Sequence, residues 1–336
     1  MKLIEKPLKL RESPDSRECS RISKSLTIGK IKIQNRIFLA PMVDVTDAAY
    51  RQICRKAGAG IAYIEMLNVG AIIHTNPKTQ NLMKTYDEEY PKCIQITGRS
   101  VKEFEDVLPL LKNYDLIDLN CGCPSIRTID NESGASLLKD PEKIAAIIKT
   151  LKKTKKTVTA KIRLGYKNNN VLEIAKAIEK AGADAITVHA RLAWHSNKTP
   201  ADWEWIKKVK ETVKIPVIGN GDIDSPEKAE LMANIADGAM IARAAIGNPF
   251  FFKQILYYSK TKKDIPFDFK ENLSYFQEYL RLIKKYDIVD LPRAKYMGTN
   301  FFRNIKGASQ MRQKLMTSKS YEEIVNIVAE FSRASP

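Results

Sequence analysis

Between residues 37 and 245 of this 336-residue chain, short apolar segments of strand composition alternate eight times with amphipathic helical stretches. Such alternation predicts repeated βα units, because consecutive parallel strands are joined through a crossover helix. The strand segments are 37–40, 60–65, 93–97, 116–120, 158–163, 185–189, 216–220 and 238–242. Eight such units predict an α/β fold, a closed (β/α)8 TIM barrel. Ahead of them, residues 26–33 alternate around Gly29-Lys30 and read as a hairpin capping the barrel's bottom. Beyond residue 252 the strand signal stops, and Leu273, Phe276, Tyr279, Leu280 and Ile283 recur at helical spacing. The expected organisation is a polar N-terminal extension over 1–25, the barrel over 26–252 and a C-terminal helical domain over 253–336.

Side chains alternate across a strand, so parity separates barrel interior from helix-facing surface. Val158, Ala160 and Ile162 form one apolar set, which turns Thr159, Lys161 and Arg163 inward. The same sorting places Thr187, His189 and Arg191 inside, with Gln95, Thr97, Glu65, Asp118 and Asn120. Polar side chains gathered at the C-terminal ends of several strands are the signature of a barrel active site, since the βα loops converge there. Asn220-Gly221-Asp222 and Ala242-Arg243 follow the last two strands, where backbone N–H groups of such barrels receive a phosphate.

The run Asp118-Leu119-Asn120-Cys121-Gly122-Cys123-Pro124 ends the fourth strand in a Gly-Pro turn carrying a thiol and a carboxamide. Alternation turns Cys121 away from Cys123, making Cys121 a small packed residue. A metal is not expected: the C-x-C pair lacks a second Cys or His pair at zinc spacing, and the chain holds three histidines.

Five cysteines without framework spacing argue for reduced thiols and a cytoplasmic protein. No apolar leader opens the sequence and no stretch approaches a membrane span, so no membrane association is expected. A formal charge of +17 favours a polyanionic partner. From 281 to 319, Arg281, Lys284, Lys285, Arg293, Lys295, Arg303, Lys306, Arg312, Lys314 and Lys319 face Asp287 and Asp290 alone, leaving +8 without acidic partners in that window. A nucleic acid is the polyanion this pattern suits, and nothing points to a protein partner.

Five motifs then carry a family likeness: Ala40-Pro41-Met42-Val43-Asp44-Val45-Thr46-Asp47, Asn120-Cys121-Gly122-Cys123-Pro124, Lys161-Ile162-Arg163-Leu164-Gly165, Val188-His189-Ala190-Arg191 and Gly219-Asn220-Gly221-Asp222. The chain resembles the tRNA-dihydrouridine synthases, flavin-dependent enzymes that reduce uridine in tRNA. The resemblance implies FMN over the barrel mouth, contacted by Pro41, Met42, Val43, Gln95, Lys161 and His189. It implies a phosphate held by Asn220, Gly221, Asp222, Ala242 and Arg243, with the helical domain binding tRNA. Ala242 and Asp222 stand where the family commonly has glycine, as does Ala190.

The resemblance further implies that NADPH or NADH reduces the flavin, that Lys161 stabilises its anionic pyrimidine end, and that Cys123 protonates carbon five of uracil. An ordinary thiol, with a pKa of about 8.5, stays largely protonated at neutral pH and can serve as that acid. Asn120, Arg163 and Arg191 are expected at the uracil edge. Two alternatives are a small-molecule FMN barrel of the dihydroorotate dehydrogenase type and a non-catalytic RNA-binding barrel. The basic tail opposes the first, and the joint presence of Gln95, Cys123, Lys161 and His189 opposes the second.

Overall fold

The computed structural model describes residues 20–196, 198–303, 305 and 308–334; the N-terminal extension up to residue 19 and Lys306 of the basic window lie outside the described residues. Strands β1 (Leu26–Ile28) and β2 (Ile31–Ile33) pair antiparallel, with Gly29 at φ +56° making the turn between them. Their inward Leu26, Ile28, Ile31 and Ile33 pack against Phe38, Ile61, Leu116, Ile218 and Met240, which seals the barrel's N-terminal end. The expected hairpin cap is present, and its alternation of buried and exposed residues is what seats it.

The barrel strands are β3 (Ile37–Leu39), β4 (Ile61–Ala62), β5 (Leu67–Asn68), β6 (Cys93–Thr97), β7 (Leu116–Cys121), β8 (Thr157–Arg163), β9 (Ala185–His189), β10 (Val217–Asn220) and β11 (Gly238–Ile241). They pair in parallel in the order β4-β3-β11-β10-β9-β8-β7-β6-β5. A parallel bridge from Tyr63 to Cys93, with the Ile64 N–H donating to the Cys93 carbonyl at 2.8 Å, joins the end of β4 to β6 and closes the (β/α)8 barrel.

One strand differs from the sequence reading. The expected 60–65 segment leaves the ladder after Tyr63 and resumes pairing as β5, so the second barrel strand is split. The cause lies at Glu65, whose carboxylate accepts from the Asp44 N–H at 2.7 Å and from Arg293 at 3.1 Å. A buried carboxylate needs these partners more than the chain needs two further ladder bonds.

Phe250–Thr261 is one helix that packs on the Pro226–Ile235 helix of the barrel's outer ring, and residue 253 falls within its first turn. Helices Phe269–Lys285, Leu291–Phe301, Ser309–Thr317 and Tyr321–Ala334 follow. They share the barrel's core: Tyr50 of the first barrel helix, Ala48–Lys56, meets Tyr279 and Phe301 edge-on at 6.3 and 6.2 Å between ring centroids. At the other terminus Ile22 is fully buried and Ser23 Oγ lies 2.9 Å from Ser259 Oγ, so the chain packs on the barrel before the hairpin begins.

The basic window is less bare than its sequence. Arg281 makes two hydrogen bonds, of 2.6 and 2.8 Å, to Glu278, and Lys284 lies 3.8 Å from Glu322, partners just outside the counted window. Arg293 is buried among Glu65, Asp47 and Asp44 of the barrel. These three cations are therefore matched, which corrects the expectation that the window lacks acidic partners.

Candidate active site

The register of β6, β7 and β8 sets Gln95 beside Asp118 and Asp118 beside Thr159. Thr159 Oγ1 donates to Asp118 Oδ1 at 2.6 Å and Gln95 Nε2 to Asp118 Oδ2 at 2.7 Å. Burial pushes the Asp118 carboxyl up to about 6, against these two hydrogen bonds and the charge of Lys161, so it is ionised at neutral pH. An ionised carboxylate only accepts, which fixes every amide beyond it. Gln95 must present its NH2 to Asp118 and its oxygen to Asn120 Nδ2, at 2.8 Å. Asn120 Oδ1 then receives the N–H groups of Gly122 and Cys123 at 3.0 and 2.9 Å.

Arg163 holds the same loop from its other side. Its Nε donates to the Gly122 carbonyl at 2.8 Å and its Nη1 to the Leu192 carbonyl at 3.0 Å, tying the loops after β7 and β9 together. Cys121 is fully buried, whereas Cys123 is half-buried with Ser125 Oγ and Thr128 Oγ1 each 3.5 Å from Sγ. Gly134, at φ +56°, passes so close that a Cβ there would lie 2.9 Å from the Cys123 carbonyl. The thiol therefore sits at the rim on backbone fixed by a carboxamide, a guanidinium and a close glycine.

On the same C-terminal face of the barrel, with Cys123, Asn120, Arg163 and Arg191 outside its lining, lies a cavity of about 630 Å³ lined by Pro41, Met42, Val43, Lys161, His189, Asn220, Gly221, Asp222, Ala242 and Arg243, with Tyr296 reaching in from the helical tail. Every residue expected at the flavin or its phosphate lines this space except Gln95, which is fully buried in the relay. Lys161 Nζ donates to Asn220 Oδ1 at 3.1 Å, and Asn220 Nδ2 to the Met240 carbonyl at 2.8 Å. Burial and then Arg163 lower the Lys161 ammonium to about 8, with Asp118 and Cys123 opposing. Burial, reinforced by Lys161, Arg163, Arg191 and Arg243, holds His189 neutral. Arg191 Nη1 lies 3.0 Å from His189 Nε2, and a guanidinium can only donate, so the imidazole proton resides on Nδ1.

Arg191 and Asp222 take supporting places. Arg191, buried, donates to both Asp222 oxygens at 2.6 Å and to the Thr199 carbonyl at 2.5 Å. Asp222 also accepts from Arg243 and from the Ala201 N–H, each at 2.9 Å. Burial works to raise the Asp222 carboxyl, but Arg191, the Ala201 N–H and Arg243 hold it below its ordinary value. Its φ of +55° accounts for glycine being common there, and Asp is among the few other residues that tolerate that region. Ala242, at φ −119°, lies outside the left-handed region. Gly221 requires its glycine: at φ +119°, a Cβ would lie 3.0 Å from His189 Cδ2.

Sequence reasoning missed three features. Parity placed Glu65 inward but could not name Arg293 as its partner, and Thr159 was counted as inward without its bond to Asp118. Tyr296 stands 43% exposed at the cavity, a placement that helical spacing alone does not mark. Ser125-x-x-Thr128 is a helix-capping pattern that could have located the hydroxyls around the thiol.

The donor set fits a phosphorylated ring cofactor: Lys161 and Arg243 supply cations, the loops after β10 and β11 supply backbone, and Pro41, Met42 and Val43 supply an apolar wall. A (β/α)8 barrel with such a cavity at the C-terminal ends of its strands defines the class, a barrel enzyme. Residues 38–335 match the family described as dihydrouridine synthase (Dus), and the chain belongs to that family.

Among its relatives are tRNA-dihydrouridine synthase B of Pseudomonas syringae pv. tomato, 36% identical over 72% of this chain and 74% of the relative. A probable tRNA-dihydrouridine synthase of Rickettsia conorii is 36% identical over 80% of this chain and 85% of its own. Solved structures sharing the fold include a 2-naphthoyl-CoA reductase, at TM-score 0.57 and 16% identity over 71% of this chain and 52% of that one. Morphinone reductase has TM-score 0.53 and 13% identity over 72% of this chain and 91% of that one. Among the described residues, no helix is long and apolar enough to cross a membrane.

Proposed function

We propose that this protein is a cytoplasmic tRNA-dihydrouridine synthase that reduces the 5,6 double bond of a uridine in tRNA with FMN as cofactor. When bound, FMN supplies the hydride, with NADPH or NADH as the source of electrons. The observation that carries the reading is the placement of Cys123 Sγ on a loop held by Asn120 and Arg163, on the barrel face that also opens the cation-lined cavity.

Pro41, Met42, Val43, Lys161 and His189 would hold the ring system, and Lys161 would supply positive charge to it. Asn220, Gly221, Ala242 and Arg243 receive the phosphate. A carboxylate would repel that phosphate, so Asp222 acts by aiming Arg243 and Arg191. Gln95, buried in the relay, orients Asn120 and would support the cofactor's site from behind its wall. Cys123 Sγ–H gives its proton to carbon five of the uracil. We place Asn120, Arg163 and Arg191 behind the base, where they hold the loops and His189 that face it. The target base must leave its stack to enter the barrel, and the helical tail, from about residue 262, grips the tRNA around it.

The test incubates the protein with NADPH or NADH and tRNA from cells lacking it, and maps dihydrouridine. Cys123→Ala should retain the yellow cofactor and tRNA binding yet lose about 10²- to 10⁴-fold in rate, the usual contribution of a general acid. Cys121→Ala should remain active. Full activity in Cys123→Ala removes the acid assignment, and an unchanged map with the wild-type protein removes the function.

A further inference from the structure

A second hollow, of about 440 Å³, opens between the Leu291–Phe301 and Ser309–Thr317 helices, walled by Leu291, Pro292, Lys295, Tyr296, Thr299 and Met316. Tyr296 belongs to both spaces, lining this hollow and the cofactor cavity. Tyr296 is 43% and Met316 55% exposed, so a flat aromatic and a polarisable thioether stand in water side by side. Among the described residues the wall carries one ammonium, Lys295, and no carboxylate. Thr299 Oγ1 is already turned to the Tyr296 carbonyl at 2.8 Å, which leaves the hollow's surface chiefly apolar.

Tyr296 is also held in place relative to the barrel. Arg293, three residues earlier and therefore its neighbour along the helix surface, is locked to Glu65 at 3.1 Å, Asp44 at 3.5 Å and Asp47 at 3.6 Å. Those carboxylates belong to the loop that follows β3 and to the broken second strand, the elements that carry Pro41, Met42 and Val43. Rotation of this helix would have to pull the buried Arg293 away from the buried Glu65 and Asp47, so the partition between cavity and hollow keeps its position.

We propose that this hollow is a subsite for the nucleotide next to the reacting uridine, its base against Tyr296 and Met316 and its phosphate toward Lys295; the assignment rests on the tRNA reading above. A base extruded into the cavity leaves its neighbour on the far side of a shared wall, one nucleotide along the strand. Every base has a π face, so an aromatic and thioether wall with a single cation binds it without sequence choice. A small-molecule substrate would need no such second space.

The experiment first identifies a tRNA in which the wild-type holoenzyme forms dihydrouridine, then compares the wild type, Met316→Ser, Tyr296→Phe and Tyr296→Ala on it. Met316→Ser and Tyr296→Ala should raise KM for tRNA by about tenfold, the scale of one lost base stack. Rates at saturating tRNA and cofactor retention should hold in Met316→Ser, and Tyr296→Phe, which keeps the aromatic face, should keep the affinity for tRNA that Tyr296→Ala loses. Placing an abasic residue on either side of the target uridine should raise the wild-type KM on one side alone, with no further rise in Met316→Ser. Equal sensitivity of wild type and Met316→Ser to the abasic residue would overturn the subsite while leaving the enzyme reading intact. Absence of any dihydrouridine from the wild type would withdraw both.

Discussion

At the N-terminal ends of the barrel strands, Phe38, Ile61, Leu116, Ile218 and Met240 close around Leu26, Ile28, Ile31 and Ile33 of the hairpin. At the C-terminal ends of the same sheet, Glu65, Asp118, Asn120, Arg163, Arg191 and Asn220 are buried just as deeply, each with a polar partner. The lower end gains from taking apolar surface out of water. The upper end gives up some of that gain, because buried charge is unfavourable even when it is paired. What it obtains is direction: an ionised Asp118 dictates how Gln95, Asn120 and the Cys123 loop must face. One end holds the barrel shut and the other aims side chains.

The difference can be broken at three depths. Phe38→Ala empties the packed end and should cost roughly 3–5 kcal/mol of stability, read from the shift in denaturant midpoint. Cofactor affinity of the folded protein should be unchanged. Weakened FMN binding at constant fold would mean that the two ends are not separable.

Asp118→Asn strikes the polar end without changing volume. The new amide offers one acceptor where the carboxylate offered two, so either the Thr159 hydroxyl must turn round to accept from its NH2 or Gln95 must flip and draw Asn120 Oδ1 off the loop. About 1–3 kcal/mol should be lost, the scale of buried groups left unsatisfied, together with slower dihydrouridine formation. Stability and turnover both equal to wild type would show that the relay has no direction.

Lys161→Met probes the same polar end through pH. The folded-state pKa of about 8 lies below the ordinary 10.5, so between these values the unfolded chain binds a proton that the folded chain does not. Cofactor-free wild type should therefore gain stability as pH rises from about 8 to 10.5, in addition to its other titrations. Lys161→Met should lack that gain, so its melting temperature relative to wild type should be highest below pH 8 and fall through the window. A constant difference across pH would place the Lys161 titration outside this range.

Much of this was legible in the chain. Parity along β7, β8 and β9 sorted Asp118, Asn120, Lys161, Arg163 and His189 from their helix-facing neighbours, and it separated Cys121 from Cys123, because a two-residue repeat is a local property. Helical spacing likewise exposed the tail, although the start of the Phe250–Thr261 helix carries no mark of which body it packs on. The broken second strand was not legible, since its cause is a charge on another helix.

The count of basic residues from 281 to 319 reads as one surface, yet Arg293 belongs to the interior and Arg281 to Glu278. By itself, the sequence determined the barrel, the face on which its chemistry sits and the thiol at its rim, because strand and helix periods and turn residues act over a few positions. Tertiary structure alone decided who pairs with whom: Glu65 with Arg293 across 228 residues, Asp222 with two arginines, and Tyr296 between two cavities. A buried charge fixes that a partner must exist, and only the closed fold brings one of 56 lysines and arginines within reach.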